Sequence, residues 1–213
     1  MIEASGRPRR GRQAEAERND RLVLEAAREV FAAEGAGAPV SAVAERAGVG
    51  MGSLYRRYGS KTELLQRLCS LAMEQSIEAA EAALAAEDAW TGLAGYVRTC
   101  VGFGSGALGT LAGTIETTPA MWETSRRSRG LVDRLVARAH AVGALRPGVT
   151  ALDVAWLIEL IGRQGPSRGG EKENVRQRLL AVALDGLRPA AASGPLPGRP
   201  PSARHYERRW KLG

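Results

Sequence analysis

The chain has 213 residues, a formal net charge of +7 and a hydrophobic fraction of 44%. This length can bury the cores of one small and one larger domain. No apolar run approaches the roughly 18 residues of a membrane span, and no apolar segment follows the basic start as in a secretory signal. Cys69 and Cys100 match no metal-ligand spacing, so we expect a cytoplasmic location and reduced thiols, with no metal, cofactor or membrane partner. A thiol switch is the less favoured alternative.

The first segment, residues 1–17, is basic and has no apolar period, which predicts a disordered arm. Its arginines, in the run from Arg7 to Arg12, either follow the phosphates or minor groove of a nucleic acid or form a solvated tail. Both readings stay open. The positive charge of the whole chain lies at its two ends, because residues 71–188 contain equal numbers of basic and acidic residues.

Residues 18–62 have the pattern of one longer helix followed along the chain by two short helices. Apolar residues from Leu22 to Phe31 recur with helical spacing, and Gly35 follows them as a helix-ending glycine should. Val43, Ala44 and Ala47 predict a second helix, Gly48 a tight turn, and residues 52–58 a third helix. Two short helices joined by such a turn predict a helix-turn-helix, whose second helix fits the major groove of DNA.

These residues resemble the TetR family of bacterial transcriptional regulators. The family pattern is carried by Phe31 to Gly35, Ala44 to Val49, Gly52 to Tyr58 and Ser60 to Leu65, within a match over about residues 18–70. Four positions depart from it: Pro39-Val40 replace a common Thr pair that helps to hold a phosphate, and Arg57 and Tyr58 replace a common His and Phe. The segment Gly143 to Val149 resembles the effector domain of SbtR-type members.

The helix-turn-helix predicts a double-stranded operator as partner. Ser53, Tyr55 and Arg56 are the best candidates for base or near-base contacts, whereas Arg57 and Lys61 are candidates for phosphates. Lys61 lies in the first turn of a helix that a Ser60-x-x-Glu63 capping box begins, where free N–H groups favour anions. The full set of predicted DNA contacts is Ser41, Met51, Gly52, Ser53, Tyr55, Arg56, Arg57 and Lys61.

Residues 63–188 predict a ligand-binding and dimerisation domain, so that the whole fold is all-α with about nine helices. The helix that the Ser60 capping box begins should end near residue 86. Further helical patterns cover residues 90–104, 121–142, 153–162 and 173–187, with a break between Gly102 and Gly109. After Pro189 the composition turns to Ala, Gly and Pro, which predicts a disordered basic tail over 189–213.

The last two predicted helices are apolar on more than one face and therefore need more than one partner surface. The resemblance implies that they form a four-helix bundle in a homodimer; an internal helix pair in a monomer is the alternative. The predicted dimer interface consists of Leu157, Leu160, Ile161, Leu179, Leu180, Ala183 and Leu187.

Large or polarizable side chains on inward helix faces predict a pocket for an unknown small molecule. The alternative for each of these residues is a place in the ordinary hydrophobic core. The predicted lining is Tyr96, Cys100, Phe103, Ile115, Trp122, Leu135 and Trp156.

Enzymatic motifs are weak, and we predict no catalytic residues. His140 and His205 belong to no metal or nucleophile motif, and the run Gly104 to Gly109 matches G-x-G-x-x-G without the preceding strand that a dinucleotide site needs. The sequence therefore predicts a dimeric, ligand-responsive repressor released from a pseudo-palindromic operator. The alternatives are an activator and a small-molecule-binding or enzymatic bundle with a vestigial helix-turn-helix. Effector, operator and target genes stay open.

Overall fold

The computed structural model describes residues 7–163 and 169–211, and these residues fold into α-helices and two short 3₁₀ helices without a strand. The all-α prediction is confirmed. The elements are α1 (Arg7–Glu34), α2 (Val40–Ala47), α3 (Met51–Tyr58), α4 (Lys61–Ala85), α5 (Ala89–Gly102), a 3₁₀ helix (Ser105–Leu111), α6 (Pro119–Ala141), α7 (Ala151–Gly162), α8 (Glu171–Gly186), a second 3₁₀ helix (Pro189–Ala191) and α9 (Ala203–Arg208).

The helix-turn-helix forms as its sequence predicts. Gly48 ends α2 in the left-handed conformation, at φ 67°, where a residue without Cβ has no steric penalty. Val43 and Leu54 are almost fully buried against Phe31 of the long first helix. At the start of α4, Ser60 Oγ accepts a hydrogen bond from the Glu63 backbone N–H at 3.1 Å, which satisfies one free donor of the helix end.

Helix α4 belongs to both halves of the molecule. Its first half packs into an apolar cluster with α1–α3 through Leu64, Leu65 and Leu68, and its second half joins the cluster of α5–α8 through Ile77 and Ala80. The domain boundary predicted between residues 62 and 63 therefore falls inside one continuous helix rather than in a linker.

The glycine-rich run after α5 serves close packing. A Cβ at Gly106 would lie 2.5 Å from the Ile158 carbonyl oxygen, and one at Gly109 would lie 2.5 Å from Cδ of Glu159, so both positions let the 3₁₀ helix approach α7. This accounts for the run that matches the dinucleotide fingerprint. The predicted helix break between Gly102 and Gly109 is confirmed.

Both predicted disordered ends differ in the structure. Residues 7–17 continue α1, since a backbone that already forms a helix over 18–34 can extend by one hydrogen bond per residue; residues 1–6 lie outside the described part. The tail is also ordered in part, because Ser202 caps α9 and Trp210 packs against the apolar cluster of the N-terminal half. Residues 212–213 again lie outside the description.

Candidate DNA-binding surface and ligand cavity

Helix α3 buries one face and presents the other to solvent. Leu54 and Tyr58, one turn apart, point inward and are 2% and 5% exposed. The opposite face is open, and Tyr55 on it is 44% exposed. Arg56 is exposed and has no ion-pair partner among the described residues. The predicted DNA contacts that the structure places at the surface are Ser41, Met51, Gly52, Ser53, Tyr55, Arg56 and Arg57.

Asp20 of α1, which sequence reasoning missed, holds α3 in place. Its Oδ1 accepts a hydrogen bond from Arg57 Nε at 2.5 Å and another from the Tyr58 hydroxyl. Burial alone would raise the pKa of the Asp20 carboxyl, but these hydrogen bonds and the charge of Arg57 lower it overall. The same contact raises the pKa of Arg57. Arg57 is thus positioned by α1, with its guanidinium still partly exposed.

Lys61 is half-buried and turns toward the protein. Its Nζ donates to the Ala38 carbonyl oxygen at 2.6 Å and lies 5.7 Å from the centre of the Phe31 ring. At the start of α2, Pro39 offers no side-chain cap and Val40 is buried, so neither position supplies a hydroxyl to a phosphate.

A cavity of about 220 Å³ lies between the two apolar clusters, and residues of α4, α6, α7, the first 3₁₀ helix and the tail line it. Its wall is mostly apolar, with hydroxyl groups of Ser76, Ser125 and Ser128 on one side. Ser76 Oγ lies 3.2 Å from Ser128 Oγ and 3.0 Å from the Tyr96 hydroxyl. Such a cavity suits a small, largely apolar ligand with one or two polar groups.

The predicted pocket residues mostly fall outside this wall. Trp122 lines the cavity and donates from Nε1 to Thr117 Oγ1 at 3.0 Å. Six other predicted residues do not line the cavity. Tyr96, Cys100 and Leu135 are core residues of the cluster around α5, and Ile115 is a core residue of the cluster around α1–α3. Phe103 and Trp156 are partly buried, and Trp156 contacts Tyr206 and Arg209 of the tail.

The tail supplies one side of the cavity through Tyr206, Glu207 and Trp210, which the sequence analysis missed. Arg209 forms a two-pronged ion pair with Glu159 of α7, from Nη1 to Oε2 at 3.0 Å and from Nη2 to Oε1 at 2.5 Å. Two aromatic residues one helical turn apart, in an otherwise basic and polar stretch, were the signal that this segment packs.

An exposed apolar face runs along α7 and α8. Leu160 and Leu179 are 60% and 56% exposed, and Val175 and Val182 extend the face. Leu157, Ile161 and Ala183 are partly buried beside it. Leu180 and Leu187 are core residues instead, at 2% and 9% exposure, which corrects their assignment to the dimer interface.

Both thiols are free and buried, and burial raises the pKa of Cys69 and of Cys100 to about 12. Within residues 7–163 and 169–211, no group of side chains is arranged to hold a metal ion. No helix in the same part is both long and apolar enough to cross a bilayer.

Several solved structures have a fold similar to that of this chain. A TetR transcriptional regulator from Streptomyces coelicolor is 22% identical with a TM-score of 0.57, over 80% of this chain and 98% of that chain. One from Mycobacterium vanbaalenii is 29% identical with the same TM-score, over 83% and 98%. AibR, solved without ligand and also with isovaleryl coenzyme A and operator DNA, is 16% identical in both structures, with TM-scores of 0.62 and 0.58, over 80% of this chain and 98% of that chain. No curated protein is significantly similar.

Two family models match successive parts of the chain. The N-terminal model of the bacterial regulatory proteins of the tetR family matches residues 23–68, which contain α2, α3 and the exposed face of α3. The model of the SbtR-like transcriptional regulator C-terminal domain matches residues 88–189, which contain α5–α8. The chain therefore belongs to the TetR family of transcriptional regulators, with a helix-turn-helix DNA-binding domain and an SbtR-like C-terminal domain.

Proposed function

We propose that this protein is a homodimeric repressor that leaves a pseudo-palindromic operator when a small molecule binds in its C-terminal domain. The observation that carries the proposal is the face of α3, where Ser53, Tyr55 and Arg56 are exposed while Asp20 fixes the helix from behind. A fixed helix with free polar side chains suits the reading of base edges.

The exposed apolar face of α7 and α8 supports the dimer. Leu160, Val175, Leu179 and Val182 lie on it, each about half exposed or more. Large exposed apolar residues on adjacent helices mark interaction surfaces. A two-fold pairing of this face would set two α3 helices at the fixed separation that two half-sites of an operator require.

Helix α4 supports a ligand response. It starts beside α3 and reaches the cavity with Cys69, Met73 and Ser76. Next to Ser76, Gln75 Oε1 accepts a hydrogen bond from Arg28 Nη2 at 3.1 Å, and Arg28 also donates to the Phe103 carbonyl at the end of α5. A ligand that shifts α4 would thus move α1 and α3 as well. AibR, which has a similar fold, was solved in complex with isovaleryl coenzyme A and operator DNA, and this supports the proposal.

Selection from random DNA tests the function. Full-length protein should enrich a pseudo-palindrome, bound roughly 10³-fold or more tightly than random DNA. Arg98→Ala, which removes an exposed charge from α5, should select the same sequence. If no motif is enriched, α3 has no reading function and the alternative of a vestigial helix-turn-helix is favoured.

A further inference from the structure

Glu159 is a buried carboxylate at the edge of an apolar cavity. Its side chain is 6% exposed, and it lines the cavity together with Ala155 and Ile158. The space for it comes from Gly109, where a Cβ would lie 2.5 Å from the Glu159 Cδ. A buried carboxylate is costly unless a cation or hydrogen-bond donors pair with it. The cavity therefore contains a built acceptor for positive charge.

Arg209 of the tail pairs with this carboxylate. The guanidinium of Arg209 binds both carboxylate oxygens of Glu159 and also lies 4.3 Å from the centre of a Trp156 ring. A carboxylate beside an indole face is a characteristic arrangement for binding organic cations. Tyr206 adds an edge-on contact with the same indole, at 5.8 Å between ring centres.

Helix α9 is held by these contacts rather than by its own stability. It has six residues, far fewer than an isolated helix needs, and a Pro- and Gly-rich stretch joins it to the second 3₁₀ helix. A second ion pair joins Arg129 Nη2 to Glu207 Oε1 at 2.7 Å, but the Arg129 side chain is 25% exposed and can be hydrated when that pair opens. The Glu159 side chain is only 6% exposed when α9 is in place, so loss of its partner is the larger electrostatic cost of releasing α9.

We propose that α9 is an internal stand-in for the effector, and that the effector is an organic cation with an apolar body that displaces Arg209 from Glu159. This inference rests on the proposed ligand response. With α9 in place, the cavity of about 220 Å³ is smaller than the roughly 300 Å³ at which ligand pockets usually begin. Because Tyr206, Glu207 and Trp210 form part of its wall, release of α9 enlarges it. An anionic ligand would leave Glu159 buried and unpaired.

Three probes of similar size but different charge test the proposal by calorimetry on the full-length protein. 4-Phenylbutylamine should bind more tightly than 4-phenylbutan-1-ol, and 4-phenylbutyrate should bind most weakly. Hydrogen exchange over residues 203–210 should rise when the amine binds, since α9 leaves its place. Tightest binding of the alcohol or the carboxylate, or unchanged exchange in α9 with the amine bound, would overturn the proposal.

Variants of Arg209 and Glu159 test whether these two residues determine the preference for the amine. Arg209→Ala should strengthen amine binding about tenfold, the change expected if α9 is closed about nine-tenths of the time. Arg208→Ala, which removes the neighbouring exposed charge, should change nothing. Glu159→Gln should abolish the preference for the amine over the alcohol. If Arg209→Ala alone fails to fold, the double variant Glu159→Gln/Arg209→Ala removes both charges and should bind amine and alcohol equally; a retained amine preference contradicts the assignment of Glu159.

Operator binding without probe, measured on the same preparations, separates the two hypotheses. Protein that binds its operator but shows no amine preference contradicts the cation site alone. Protein that prefers the amine but selects no DNA sequence contradicts the repressor alone.

Discussion

Asp20 shows how one side chain outside the helix-turn-helix determines how its second helix is held. The carboxylate connects α1 to Arg57 and Tyr58 at the end of α3, and its own side chain is 20% exposed. Hydrogen bonds to a charged acceptor in such a half-shielded place contribute more than an exposed ion pair does. The orientation of α3 therefore depends on Asp20 as well as on the buried Leu54.

Asp20→Asn should destabilise the protein by about 1.5–3 kcal/mol at neutral pH, because it removes a charged acceptor of two hydrogen bonds. The pKa of Asp20 is lowered in the folded protein. Its contribution to the free energy of unfolding is therefore complete above the pKa of the unfolded chain, about 3.9, and disappears as the pH falls through the pKa of the folded protein. Melting curves between about pH 2 and 7 should accordingly converge for wild type and variant at the acid end. Glu29→Gln, which breaks an exposed pair with Arg46, serves as control and should cost under about 1 kcal/mol.

Arg56→Ala should relax base preference at one position of each half-site and cost about 1–3 kcal/mol if Arg56 reads a guanine edge. The Arg56 guanidinium is exposed on α3 and is therefore available to a base edge. Affinities for the selected operator and for its single-base variants measure the effect. A uniform loss over all sequences would reassign Arg56 to the DNA backbone.

At the scale of whole elements, α7 and α8 divide their apolar residues between a core and a surface. Leu180 and Leu184 pack inward with Val154 and Ile158, whereas Leu160 and Leu179 stay exposed. Thr150 and Asp153 form a capping box that fixes where α7 begins, whereas packing against the core determines which of its faces turns outward.

Leu160→Glu or Leu179→Glu should give folded monomers with weak operator binding, because an unpaired carboxylate in an apolar interface is strongly unfavourable. Sedimentation at micromolar concentration measures the assembly state. Val142→Glu alters an exposed apolar residue at the end of α6 and should leave the dimer intact. Leu180→Glu should unfold the protein instead, since that residue is core. A wild-type protein that sediments as a monomer would remove the dimer hypothesis.

At the scale of the whole molecule, the proposed dimer doubles every contact with DNA. Lys61→Ala should weaken binding to all sequences equally, because a phosphate contact carries no sequence information. Each lost contact lowers the slope of log affinity against log salt by about one, so a dimer that loses two should show a change of about two. Titrations at several salt concentrations measure this slope. An unchanged slope would mean that the Lys61 ammonium stays on the Ala38 carbonyl when DNA is bound.

The helical fold, the helix-turn-helix and the family can be predicted from the sequence alone, because they depend on local spacing: Gly48 at a turn, Ser60 at a helix start, and apolar residues one turn apart. Other features depend on how the helices pack, which local spacing cannot show. Leu179 and Leu180 are adjacent and equally apolar, yet one is exposed and the other buried, because helix packing selects one face. The cavity wall likewise joins residues far apart in the chain, Met73, Trp122, Glu159 and Trp210, and the ordered tail depends on Arg209 meeting a buried carboxylate fifty positions earlier.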